Sequence, residues 1–398
     1  MDNKTKKFIQ EHLNDDVIKL GLQSHRHSDI DIQLAIRQIS GLQKVKNKIP
    51  SFYNNHDLLF PKQLSIEQSS SEITAKYKAS LFSGETFADL TGGFGIDFYF
   101  IYQQFNSGIY IEIDKELCEL AERNFKTLNI NSYTISNANS IDYIEEMQNV
   151  DLIYIDPHRR SNTGKKTIKI SDCEPDVSLL YDKLLQKAPN VMVKLSPMLD
   201  IHQAISDLPT TKEVHIISVD NECKEILMIL KDENIKTDNL KHNSVIIKTI
   251  NYTKSGKEEL FEYTFEEEKV SKPEYADLPL RYLYEPNASI MKSGAFKTIA
   301  SRFNLKKFHA NTHLYTSNEV NTDFPGRIFI INEVYNNSKT DVKRLSCNIP
   351  KANISTRNFL MSADEFRKKT GIKDGGDIYL FAFKTHTEKY IIASCRKV

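Results

Sequence analysis

The stretch "FADLTGGFGIDFYF", residues 87–100, sets three glycines within four positions between two apolar runs, in a chain of 398 residues that holds only 14 glycines. An apolar run closing on Asp89, then Thr91, Gly92, Gly93, Phe94 and Gly95, then apolar residues at helical spacing, reads as strand, tight turn and helix. Without Cβ atoms the backbone can take positive φ and a ligand can lie against it. The first N–H groups of the following helix then face that ligand.

Working outward, "SGIYIEI", "SYTISN", "VDLIYID", "VMVKLS", "VHIISV" and "EILMIL" are further strands, with amphipathic segments such as "DKELCELAERNFKTLN" and "SLLYDKLLQKA" between several of them. That alternation predicts an α/β fold, a parallel sheet with helices on both faces. Only "DNECK" separates the last two strands, so that pair is predicted to be antiparallel. Residues 5–80 read as helices: one runs from Ile30 through Leu42 and stops near Pro50. A second spans Ser70 to Leu81, with Ser69 and Glu72 spaced as a capping box. After Asn239 the pattern turns strand-rich, passes the acidic "EEEK" and a Pro-containing linker, and continues as an α+β region.

Composition bounds the rest. With 40% hydrophobic and 27% charged residues the chain has a globular balance, and two or three domains are expected for its length. No apolar run nears the roughly 20 residues of a membrane helix, and the N-terminus lacks a secretory pattern. A cytoplasmic protein is expected. Five dispersed cysteines without a CxxC pair indicate neither a disulfide frame nor a metal site. The net charge of zero conceals an asymmetry. Residues 290–398 carry 19 Lys and Arg against 9 Asp and Glu, and the preceding residues carry the opposite excess. A basic module on an otherwise acidic chain suggests a polyanionic partner.

Dinucleotides and S-adenosylmethionine (SAM) both use a glycine turn at the tip of a first strand. The GxGxxG order of dinucleotide binders is not matched here. Asp89 would sit awkwardly beside a pyrophosphate but suits a cationic amino group. Glu112, at the tip of the second strand, is placed to accept hydrogen bonds from ribose hydroxyls. Asp89, Glu112, Asn139 and Asp156 each fall at or just past the tip of a successive strand, and SAM is the better fit.

The fourth strand opens into "DPHRRSNTGKK". With that motif in its order and spacing, residues 70–235 resemble the class I SAM-dependent methyltransferases. More narrowly, "EQSSSEITAKYKA", "DLTGGFGID", "IDPHRR", "KLSP" and "YLYEPNASIMKSGAFKTIASRFNLKKFHANTHLYTS" resemble the bacterial methyltransferase group with a THUMP-like C-terminal domain. The resemblance implies a Rossmann-like seven-stranded methyltransferase domain over 83–235, behind a helical N-terminal region, 1–82. It implies a small strand-rich, ferredoxin-like region over 236–282 and a basic THUMP-like α+β domain over 283–398. THUMP domains bind RNA, so RNA is the implied partner, with tRNA and rRNA as candidates, and with no metal and no membrane.

SAM is then expected to meet Asp89, Thr91, Gly92, Gly93, Gly95, Asp97, Glu112, Ile113, Asn139, Ser140 and Asp156. Asp156 orients the acceptor and takes its proton or hydrogen bond, and His158 is the candidate base. Pro157, Arg159, Arg160, Lys194 and Ser196 are expected at the substrate, with Lys165 and Lys166 also near phosphates. Arg302, Lys306, Lys307 and Arg357 are the expected RNA contacts of the C-terminal module. Amino-group methyltransferases usually carry two prolines and an aromatic after the Asp or Asn. Here His158 and Arg159 take the third and fourth positions, so an exocyclic amine target is not established. Small-molecule methylation, or RNA binding with a retained SAM pocket and no transfer, stand as alternatives.

Overall fold

The computed structural model describes residues 1–27, 29–159, 169–232 and 245–398. The chain divides into two compact units, Met1–Thr211 with Met228–Thr237, and Lys212–Leu227 with Asp238–Val398.

Among its described residues the first unit opens on the α-helices α1 (Asn3–Glu11), α2 (Val17–Leu22), α3 (Ile32–Lys48), α4 (Pro50–Tyr53), α5 (Gln63–Gln68) and α6 (Glu72–Ala79). Asp2, Asp16 and Asp31 cap the first three by accepting from backbone N–H groups one turn on. Pro50 does end α3, and it starts α4 at the position where its missing N–H costs nothing. The cap of α6 is Ser71, not Ser69. Ser71 Oγ accepts from Thr74 N at 3.3 Å, and the Glu72 carboxylate turns to Ser51 N at 2.8 Å. Ser69 Oγ donates to Ile66 O at the end of α5.

Strands and helices then alternate: β1 (Gly84–Asp89), α7 (Ile96–Tyr102), β2 (Phe105–Glu112), α8 (Lys115–Thr127), β3 (Tyr133–Asn137), α9 (Ser140–Glu146), β4 (Leu152–Ile155), α10 (Tyr181–Lys187), β5 (Asn190–Leu195) and α11 (Ile201–Asp207). β1 lies parallel to β2 and to β4, with Asp89 opposite Tyr110 on one side and Tyr154 on the other. The chain continues as β6 (Thr211–Val219), β7 (Glu222–Lys231), β8 (Ile246–Tyr252) and β9 (Glu258–Thr264). Hydrogen-bonded neighbours run β3-β2-β1-β4-β5-β7-β6-β8-β9. Asp220 and Asn221, both at positive φ, make the two-residue β6–β7 turn that an antiparallel hairpin requires.

Aromatic packing seats α7 on the sheet. Phe98 stacks on Phe125 with ring centroids 4.7 Å apart, and Phe87 and Tyr110 close around it at 5.0 and 5.6 Å. Each ring contributes about 2–3 kcal/mol by burial. A shift of α7 would break all of these contacts together.

In the second unit the acidic "EEEK" stretch, ahead of the Pro-containing linker, forms a short helix. α12 (Phe265–Val270) is capped by Thr264 Oγ1, which accepts from Glu267 N. Behind β10 (Tyr282–Pro286), α13 (Ala288–Ser293) ends at Gly294 (φ 85°), and α14 (Thr298–Arg302) follows it. The remaining elements are β11 (Lys306–His309), β12 (Thr312–Ser317), β13 (Gly326–Asn336), α15 (Lys339–Asn348), β14 (Lys351–Arg357), α16 (Ala363–Thr370), β15 (Lys373–Lys384) and β16 (Tyr390–Lys397). They form a sheet ordered β11-β12-β10-β13-β16-β15-β14. One core gathers Leu283, Phe308, Phe329, Phe381 and Phe383, and a second gathers Tyr335, Leu345, Phe366 and Ile392.

Candidate active site

Parallel strands end on one edge of the sheet, and their first polar residues meet there. Asp89 closes β1 and is 1% exposed. Its Oδ1 accepts from Thr91 N at 3.0 Å. Oδ2 is buried and has no hydrogen-bond partner among the described residues. Burial pushes this carboxyl well above the usual range, and the negative charges of Asp97, Asp156 and Glu112 add to the effect. A buried carboxyl oxygen left without a partner is a standing cost that a bound cation would remove.

The three glycines of the turn serve different ends. A methyl group on Gly92 would come within 2.1 Å of the Tyr110 ring, so this glycine answers to the protein's own packing. Gly95 (φ 80°) is the cap residue of α7. Gly93 (φ 55°) is the open one: among the described residues a methyl there would meet nothing closer than Thr91 O at 3.7 Å. Its N–H donates to Glu112 Oε2 at 2.8 Å, and its carbonyl accepts from Tyr110 Oη at 2.6 Å. Glu112 Oε1 accepts from Asp114 N at 2.8 Å.

Next to Glu112, Ile113 is 68% exposed despite being a large aliphatic side chain. Asn137 Nδ2 braces this bend by donating to Glu112 O and Ile113 O. Asn139 caps α9, its Oδ1 accepting from Ile141 N at 2.9 Å, and Ser140 is the first residue of that helix. The expected SAM contacts at β1, β2 and β3 thus share one strand-end edge, with one exception. Asp97, in the first turn of α7, points into the protein. Its Oδ2 accepts from Ser70 Oγ at 2.7 Å and from Tyr154 Oη at 2.8 Å. Lys78 Nζ lies 3.1 Å from Oδ1, and Lys194 Nζ lies 4.0 Å from Oδ2. Burial opposes its charge, but the two ammonium groups and the two hydroxyls prevail and hold its pKa below the usual value.

At the tip of β4, the Asp156 amide donates to Thr91 Oγ1 at 2.7 Å. Its carboxylate accepts from Lys194 Nζ. Lys194, near the end of β5, is therefore paired at the site, not extended into solvent. Pro157 is buried, and His158 is exposed in a short antiparallel ribbon, His158–Arg159 with Cys173–Glu174. Ser196 is exposed, with Oγ accepting from Met198 N. Arg160, Lys165 and Lys166 lie outside the described residues.

The four cations expected to meet RNA are taken up within the second unit. The Arg302 guanidinium grips both oxygens of Glu267 and donates to Glu262 O. Lys307 is 1% exposed and donates to His309 O and Ala310 O, with burial lowering its pKa to about 8. Arg357 pairs with the buried Glu285 at 2.7 Å, and Lys306 with Glu274 at 3.0 Å. Exposed cations lie elsewhere: Lys343 on α15, Lys368 and Lys369 on α16, and Lys351 opposite Lys373 on β14 and β15. The run "RKKT" at the end of α16 was the signal in the sequence that could have found them.

Similarity to known proteins accords with this layout. A family model described as a ferredoxin-like domain matches residues 282–325, not the 236–282 region for which that description was expected. A model described as THUMP domain-like matches residues 326–397. No curated protein matches the chain. A crystal structure from Porphyromonas gingivalis W83, of a protein assigned as a methyltransferase, is 31% identical and covers 100% of this chain and 99% of its own, with a TM-score of 0.88. M. capricolum TrmK, solved with S-adenosyl-homocysteine (SAH), is 13% identical over 42% of this chain and 71% of its own, with a TM-score of 0.33. SMU.1697c from Streptococcus mutans, also solved with SAH, is 10% identical over 40% and 97%, with a TM-score of 0.30. Likeness at the level of these last two is too low to bear weight. The full-length match, the strand order and the C-terminal THUMP-like module agree, and the chain belongs to the class I SAM-dependent methyltransferases, in the group with a THUMP-like C-terminal domain.

Proposed function

We propose that this chain methylates a nucleotide in RNA, with SAM as donor. The observation that carries the donor is the partnerless, buried Oδ2 of Asp89 beside the open Gly93. These residues fit the cofactor. Asp89 offers an anion to its ammonium group, Glu112 offers carboxylate oxygens to the ribose, and Ile113, Asn139 and Ser140 offer an apolar and polar wall to the base. When bound, SAM supplies a methyl group activated on a sulfonium centre. An acceptor that took this methyl group, leaving SAH, would have a proton to give up, and Asp156 is placed to receive it.

The protein's part is alignment and exclusion of water. Asp156, held by Thr91 and Lys194, accepts the acceptor's hydrogen bond and directs its lone pair. His158 stands exposed beside it as a second proton acceptor. Pro157 and Ser196 stand at the acceptor's approach. RNA as substrate is supported by the THUMP domain-like module and by the cations of residues 290–398.

The test is incorporation of tritiated methyl from SAM into total RNA and into a metabolite extract, by wild type and by Asp156→Ala. Label in RNA that D156A loses supports the proposal. Label confined to metabolites makes this a small-molecule enzyme. No label with retained RNA makes it a binding protein. Nucleoside mass spectrometry of cells lacking the protein names the product.

A further inference from the structure

Lys194 stands between two carboxylates. Its ammonium group pairs with Asp156 Oδ2 and lies 4.0 Å from Asp97 Oδ2. The ammonium group makes its close contact with Asp156 and stands farther from Asp97, so something decides which one it serves. Asp97 is buried, and a buried carboxylate draws any cation within reach strongly, because the surroundings screen little. Yet Lys194 is on the more exposed Asp156.

The reason lies on the other side of Asp97. Lys78 is 0% exposed, and its Nζ is 3.1 Å from Asp97 Oδ1. It also donates to Ser70 Oγ at 2.9 Å, and that hydroxyl donates onward to Asp97 Oδ2. Tyr154 Oη supplies a further donor to the same oxygen. Asp97 therefore already holds a cation and two hydroxyls. The four charges form a row, Lys78, Asp97, Lys194 and Asp156, whose last member is at the tip of β4. Lys78 and Ser70 come from α6 and the residues leading into it, so the helical N-terminal region supplies one end of the row.

We propose that Lys78 is a positioning residue: by satisfying Asp97 from behind, it lets Lys194 serve Asp156, and so fixes the carboxylate that meets the methyl acceptor. Ser70 and Tyr154 assist by the same route. The role assigned to Asp156 rests on the proposed methyl transfer, but the choice made by Lys194 does not. It is a matter of geometry and is read without activity.

The decisive variants are Lys78→Met, Lys78→Met with Asp97→Asn, and Lys78→Gln, each as the full chain. In crystals of K78M, Lys194 Nζ is expected within hydrogen-bond distance of Asp97 and withdrawn from Asp156. In K78M/D97N, which removes the competing anion, it is expected back on Asp156. Methyl transfer is expected to follow: kcat about tenfold down in K78M and within about threefold of wild type in K78M/D97N, with SAH affinity unchanged in both. A purely structural ion pair would alter stability without moving Lys194 between carboxylates. Lys194 remaining on Asp156 in K78M overturns the proposal, as does a K78M/D97N protein with Lys194 off Asp156. If K78M does not fold, the Lys78→Gln crystal decides, and an unmoved Lys194 there overturns it equally. A wild type that transfers no methyl group defeats the function proposed above and leaves these crystallographic outcomes intact.

Discussion

Thr91 Oγ1 accepts a hydrogen bond from the Asp156 amide at 2.7 Å, so the turn after β1 and the tip of β4 are tied by one side chain. The same Thr91 gives its backbone N–H to Asp89 Oδ1. The carboxylate proposed for the donor and the one proposed for the acceptor are thus held at a fixed separation by a single residue. Thr91→Val keeps the shape and removes the acceptor. It is expected to cost about 1–2 kcal/mol in urea denaturation for the orphaned amide, and to lower kcat more than it weakens SAH binding.

Asp89 separates stability from binding. Its raised pKa means the folded chain holds a proton there that the unfolded chain releases at lower pH. Stability from this group is therefore greatest in acid and declines as pH rises above the ordinary carboxylate range. Asp89→Asn removes that decline. At pH 8 the variant is expected to be at least as stable as wild type, while SAM affinity falls roughly 10- to 100-fold through loss of a charged hydrogen bond. Urea denaturation at pH 5 and pH 8, with calorimetry of SAM binding, checks both. A D89N protein that binds SAM like wild type refutes the assignment.

Gly92 and Gly93 are adjacent and are expected to fail differently. Gly92→Ala drives a methyl into the packed Tyr110 ring and is expected to destabilise by about 1–3 kcal/mol or more. Gly93→Ala meets open space but must hold positive φ, at about 1–2 kcal/mol. Thermal melts with and without SAH distinguish them: G93A is expected to lose the ligand-induced rise in Tm, since its new methyl points into the proposed cofactor's space.

In the second unit the exposed lysines are expected to neutralise phosphates. Replacing Lys351, Lys368, Lys369 and Lys373 with Gln is expected to lower the slope of log K against log salt by about 0.7 for each phosphate that is no longer neutralised. Lys307→Met, at a buried site, is expected to leave that slope unchanged. Filter binding of tRNA and rRNA fragments across a salt series measures both.

Much of the site was legible in the chain. Strand tips are marked by the change from apolar to polar residues, so Asp89, Glu112 and Asp156 could be placed before any contact was known. The ends of α16 rest on equally local signals, since Ser362 with Glu365 forms the cap and Gly371 the C-terminal stop. Less legible was anything set by a distant partner. Gly92 looked like a ligand glycine and is required by Tyr110, 18 residues on. Asp97 looked like a cofactor contact and faces Lys78. Arg302 and Arg357 looked free, and each meets a carboxylate far away in sequence.

Periodicity, turn chemistry and motif order determined the α/β class, the hairpin that closes the core of the sheet and the edge where its polar residues gather, because each is encoded over a few neighbouring residues. Only the tertiary structure decided which charges are spent internally and which face outward. Whether a lysine pairs with a carboxylate depends on separations of about 3 to 4 Å between residues tens of positions apart, and no local pattern records that distance.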